Sequence, residues 1–126
     1  MTTSPQLRFL SLFVPDLDDA ARRYEAILGV PPKAPASAPA RHPFSPRAPV
    51  VFDLGGVEIA LYQADGTTTH AGDVGIGLVA GEPAAVAQRA SQAGARAFPG
   101  LRALADGRQI GVFVTPDRHF FEVVSR

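Results

Sequence analysis

Between Leu7 and Val30 the spacing of apolar residues changes its period, and this constrains the fold more than any other feature. Leu10, Leu12 and Val14 alternate with Phe9, Ser11 and Phe13, the two-residue repeat of a strand with two distinct faces. Pro15 stops the strand, because proline has no N–H to give a ladder. From Leu17 the repeat becomes helical, through Ala20, Ala21, Tyr24, Ile27 and Leu28. Asp16 suits the N-cap, and Asp18 and Asp19 in the first turn complement the helix dipole. Gly29 then stands where a helix ends in a left-handed residue.

A similar unit returns later. Val74, Ile76 and Leu78 form one strand face and Asp73, Gly75 and Gly77 the other. Pro83, favoured at the first helical position, opens a helix that runs to Ala93 and ends at Gly94. Its apolar side is mostly alanine with Val86, so close packing on a sheet is expected.

After each helix the chain reads as extended. Seven of the twelve prolines lie between Pro31 and Pro49, which rules out helix and allows at most an irregular edge strand. This segment is either a stiff connection or a flap over a binding site, with Phe44 or His42 as its contact. Val50–Leu54 and Val57–Tyr62 flank Gly55-Gly56, a hairpin signal that sets Phe52 opposite Ile59 and Val50 opposite Leu61. Asp53 and Glu58 then face each other, and a solvated hairpin end is the expected reason that two like charges are tolerated. Ala64–Gly72 is a polar linker in which His70 reads as surface. Ala95–Leu104 is expected as one extended strand anchored by Phe98 and Leu101. A last hairpin, Gln109–Val114 and His119–Val124, closes through Thr115-Pro116-Asp117-Arg118. That closure sets Phe113 opposite Phe120 and Gly111 opposite Glu122, with Ile110, Val112, Val114, Phe121 and Val123 toward the helix.

Each half thus reads strand, helix, then three extended segments, a long-period internal repeat. The expected fold class is α+β. Two βαβββ modules, 7–63 and 73–126 within a single domain of 126 residues, form a curved eight-stranded mixed sheet with helices on the outer face. The inner faces would line a cup, a common place for a ligand.

The order has a match. Val14-Pro15-Asp16-Leu17 through Tyr24 and Leu28-Gly29 resembles the opening of vicinal oxygen chelate proteins, which include glyoxalase I, bleomycin-resistance proteins and extradiol dioxygenases. Thr115-Pro116-Asp117-Arg118-His119-Phe120-Phe121-Glu122-Val123 resembles the usual Asp-Pro-Asp-Gly-Asn…Glu-Leu ending. Arg118 and His119 depart from the Gly-Asn of that turn, and His119 reads as a surface residue. Metal-dependent members of the superfamily draw ligands from four strand positions. By the resemblance these fall on Phe9, Ala60, Gly75 (or Asp73 with an insertion) and Glu122. Only the final carboxylate survives, so neither a metal nor another cofactor is expected.

The cup-facing set is Phe9, Ser11, Phe13, Tyr62, Gly75, Gly77, Phe113, Phe120 and Glu122. Aromatic walls with a few polar groups suit an aromatic or apolar small molecule. Glu122 is the candidate catalytic residue, as acid/base or ligand anchor, or else a structural partner of Arg102 or Arg108. The expected function is metal-free ligand binding, as in the bleomycin-resistance branch of antibiotic-resistance proteins. The alternative is a glyoxalase- or dioxygenase-like enzyme (a lyase, isomerase or oxygenase) that uses Glu122 as acid/base or within a reduced metal site.

Composition narrows the partners. Twelve basic and twelve acidic residues cancel, which argues against nucleic acid and against a cationic drug. No apolar run is long enough to span a membrane, and Met1–Gln6 is too short and polar to read as a signal peptide. The absence of cysteine excludes disulfides and thiolate metal sites and fits a reducing cytoplasm. The superfamily resemblance implies a homodimer.

Overall fold

The computed structural model describes residues 4–97 and 100–126. They form eight strands and two helices, an α+β architecture with both parallel and antiparallel strand pairs. Two compact units are distinguished among the described residues: Phe9–Val74, and Gly75–Arg126 together with residues 4–8. No helix among the described residues is long and apolar enough to cross a membrane.

In the first unit, β1 (Gln6–Val14) leads into α1 (Leu17–Leu28), and then come β2 (Val50–Asp53) and β3 (Glu58–Gln63). The Asp16 side chain accepts the Asp19 N–H at 3.1 Å, and Gly29 closes the helix at φ 72° with its N–H on Glu25 O. A cap of this kind is worth about 1 kcal/mol. Gln63 ties helix to strand: its Oε1 accepts the Leu17 N–H, and its Nε2 donates to Pro15 O at 2.6 Å. β3 pairs parallel with β1 and antiparallel with β2, and the hairpin register is the one expected, Phe52 with Ile59 and Val50 with Leu61. Leu17, Ala20, Tyr24 and Leu28 of α1 pack on Leu12, Val14, Phe52 and Leu61. The proline-rich segment contributes one bridge, Lys33 to Val51, the irregular edge that its composition permits.

In the second unit, β4 (Val74–Ala80) leads into α2 (Pro83–Gln92). No side chain caps α2 at Glu82, so this helix lacks the device that starts α1. Beyond α2 the structure corrects the sequence reading twice. The expected strand Ala95–Leu104 is two short pieces, β5 (Arg96–Ala97) and β6 (Arg102–Ala103), both paired with β7 (Gln109–Val114). Gly100 between them has φ 111°, a turn conformation that no strand accommodates. Leu101 is 39% exposed and is no core anchor, and Phe98 lies outside the described residues.

The second correction is the register of β7 with β8 (Phe120–Ser125). Phe113 pairs with Phe121, not Phe120, and Val112, not Gly111, pairs with Glu122. Thr115 N–H bonds His119 O, leaving Pro116, Asp117 and Arg118 as the loop, with Arg118 left-handed at φ 73°. Three-residue hairpin loops end in such a residue. A one-residue slip turns each side chain to the other face. Phe113 therefore sits with Phe121 and Val123 against α2, while Ile110, Val112 and Val114 share the face of Glu122. The expected helix-side face is right for β8 and inverted for β7.

Candidate functional site

On the first unit, β1 and β3 hold the expected residues together. The register pairs Phe9 with Glu58, Ser11 with Ala60 and Phe13 with Tyr62, so all six share one sheet face. All are buried, and what covers them is the chain itself. Tyr62 Oη donates to Pro39 O at 2.6 Å. The His42 ring lies edge-on to Phe13 and Tyr62, at 5.1 and 4.9 Å between centroids. His42 Nδ1 accepts the Phe44 N–H, which places the ring proton on Nε2. This part of the proline-rich segment thus lies over the face, with the His42 ring against Phe13 and Tyr62.

Glu58 fastens that cover. Its two oxygens accept the N–H groups of Ala36, Ser37 and Ala38 at 2.7, 2.9 and 2.8 Å. The side chain is 3% exposed, which corrects the expectation of a solvated hairpin end. Three charge-assisted bonds explain how Glu58 sits opposite Asp53, whose carboxylate instead faces Lys33 and the Gly56 N–H. Sequence reasoning missed this role. The available signal was a glutamate pointing to the same face as Phe9, Ser11 and Phe13.

A second fastening lies in the 64–72 linker. Asp65 Oδ1 accepts the N–H groups of Thr67, Thr68 and Thr69, and Thr69 Oγ1 donates to Phe44 O. Partial burial raises the Asp65 pKa, but the three backbone donors outweigh it and bring it down to about 2.

On the second unit, Gly75, Gly77, Phe120 and Glu122 come together on one face of β4 and β8, through the pairs Gly75–Phe120 and Gly77–Glu122. Glu122 is wholly buried and makes side-chain interactions of its own. Gly75 makes room for it: a Cβ there would fall 2.9 Å from Glu122 Cδ and 2.7 Å from Phe120 Cε2. Phe113 does not belong to this face, as the register requires, and Val112 stands beside Glu122 in its place. His70 and His119 are exposed, as expected.

The four positions at which the resemblance places metal ligands carry Phe9, Ala60, Gly75 or Asp73, and Glu122. Phenylalanine, alanine and glycine offer no donor, and Asp73 Oδ2 already accepts the His70 N–H. Among the described residues no three histidine, aspartate or glutamate side chains converge on a point where a metal could sit. The donor set does not fit a divalent metal of the kind this superfamily uses.

Neither a family model nor a curated protein matches the chain in sequence. Its structure does find matches, and they share its α+β fold. One similar structure is a hypothetical protein from Bacillus halodurans C-125, with a TM-score of 0.72 and 13% identity, covering 98% of this chain and 96% of that one. Another is a glyoxalase/bleomycin resistance protein/dioxygenase superfamily member from Vibrio splendidus 12B01, at 0.66 and 16%, covering 98% and 100%. A third is methylmalonyl-CoA epimerase from Mycobacterium tuberculosis, at 0.63 and 16%, covering 94% and 86%. At such identities the likeness is one of fold, and the fold hosts several functions.

Proposed function

We propose that this chain is a small-molecule-binding protein of the vicinal oxygen chelate fold, working without a metal, cytoplasmic and homodimeric. It sequesters or carries an aromatic or apolar compound against the sheet face that bears Glu122. The observation that carries this reading is Glu122 itself, a fully buried carboxylate lodged where Gly75 leaves no side chain. Glu122 has interactions of its own, and what supports the reading is its position beside Phe120 on a largely apolar strand face, a polar group among apolar ones of the kind that orients a ligand. Phe120 is half-buried beside it and offers an aromatic surface. On the first unit, the same reading makes residues 36–44 a flap whose opening would expose Phe13 and Tyr62.

A thermal-shift screen of soluble aromatic acids, phenols and amides tests this. At least one compound should raise the melting temperature in proportion to the logarithm of its concentration. Glu122→Gln, of equal size, should fold as the parent does and lose about tenfold or more in affinity for that compound. Equal shifts in parent and variant would remove Glu122 from the role. The likeness to an epimerase favours one second reading, in which Glu122 moves a proton at a carbon beside a carbonyl. Solvent deuterium entering an added acyl thioester, and lost in Glu122→Gln, would decide for it.

A further inference from the structure

The second unit holds a cleft that no reading of Glu122 uses. It lies on the opposite face of the sheet, beneath α2, with a volume of about 470 Å³. Leu78, Val86, Ala90, Phe113, Phe121 and Val123 supply its apolar wall. The cause is side-chain size. α2 meets the sheet with Val86, Ala87 and Ala90, which are too short to fill the space over Phe113 and Phe121. Gly111 leaves room for the Phe113 ring on the same face, since a Cβ there would meet it at 2.9 Å.

The mouth is basic. Thr115 and Pro116 line this cleft and also a neighbouring polar one of about 520 Å³, which is bounded by Arg96 and Arg118. Arg89 reaches the rim from α2. Among the described residues none of these three arginines is in an ion pair. The opposing charge is Asp117, whose carboxylate accepts the Thr115 hydroxyl and faces His119 at 3.8 Å. Three guanidinium groups against one carboxylate leave the rim positive.

Arg118 ends the three-residue loop, where the turn itself calls for a left-handed residue. It is the one non-glycine residue with positive φ among the described residues, at 73°. A side chain in that conformation is strained, and glycine would adopt it freely. Arg118 lines the polar cleft, which shares Thr115 and Pro116 with the apolar one.

We propose that the cleft under α2 binds an anionic amphiphile, a carboxylate with a medium-length alkyl or aryl body. The body lies against Phe121, Leu78 and Val86 beside Ala90, the half-buried residues of the wall. The carboxylate passes the Thr115–Pro116 ridge and meets Arg118 and Arg96. The volume is within the range of small-molecule sites, and the pairing of apolar wall with cationic rim selects an acid over the matching alcohol or amine.

Isothermal titration with decanoate, decan-1-ol and decylamine tests the proposal. Decanoate should bind one to one, and at least about tenfold tighter than decanol, as expected for a charge-assisted contact. Arg118→Gly should raise the melting temperature, by relief of strain, and weaken decanoate about tenfold with decanol unchanged, whereas Arg118→Lys should keep most of the affinity. Ala90→Phe, which fills the cleft, should abolish binding of decanoate in a protein that still melts cooperatively. Decanoate that fails to bind, that binds no better than decanol, or that is indifferent to Arg118→Gly or to Ala90→Phe overturns the proposal. Glu122→Gln should leave decanoate binding intact, so this test and that of the Glu122 face fail separately.

Discussion

The two units share one plan and use their helices differently. α1 starts on a side-chain cap and meets its sheet with Leu17, Tyr24 and Leu28. α2 starts without such a cap and meets its sheet with alanines, leaving about 470 Å³ beneath it. The sheet faces away from the helices differ as well. Each buries a glutamate: Glu58 accepts three backbone N–H groups of the proline-rich cover, and Glu122 lies against Gly75 with interactions of its own. The lesson is that a repeated strand–helix pattern sets the frame, and the volume and polarity of a few side chains decide whether a face is closed or available.

The strongest way to break the comparison is Glu58→Ala. It leaves three N–H groups of the cover without acceptors. We expect a loss of about 3–5 kcal/mol, read by chemical denaturation, with accelerated proteolysis within 36–44. An unchanged protein would mean that the cover is not fastened as described. A sharper test grafts the same side chain into both helices. Ala20→Leu should overpack the full α1 interface and destabilise by about 1–3 kcal/mol, whereas Ala90→Leu should fill the α2 cleft and stabilise by up to about 1 kcal/mol. Equal effects would erase the distinction between the helices.

The smallest expected effect concerns acid. The Asp65 pKa is depressed to about 2 in the folded chain, below the unfolded value of 3.8. The unfolded state therefore binds the proton first as pH falls. Asp65 contributes its stability in full above about pH 4, and that contribution is lost as pH drops through 2. The group is partly open to solvent, so the amount is of order 1 kcal/mol. Asp65→Asn should cost that much at pH 7 and flatten the stability profile between pH 4 and 2, measured by urea unfolding at stepped pH.

Much of the frame was legible in the residues. The alternation of Phe9 through Val14 announced a two-faced strand, Asp16 and Gly29 announced both ends of α1, and Gly55-Gly56 set the register of β2 on β3. These are local effects, written in dihedral preferences, caps and the periods of strand and helix.

Three features needed the tertiary structure. The register of β7 on β8 rested on one residue of loop length, and only the left-handed Arg118 reveals the three-residue loop that turns Phe113 toward α2. Glu58 looked like a surface charge because its three partners lie 20 to 22 residues away along the chain. The cleft under α2 is a matter of volume, and a pattern of apolar positions does not say whether alanine will meet another small residue or a void. Local preferences act between neighbours and can be read along the chain. Filling of space and satisfaction of buried polar groups depend on distant segments meeting, and only the folded chain brings them together.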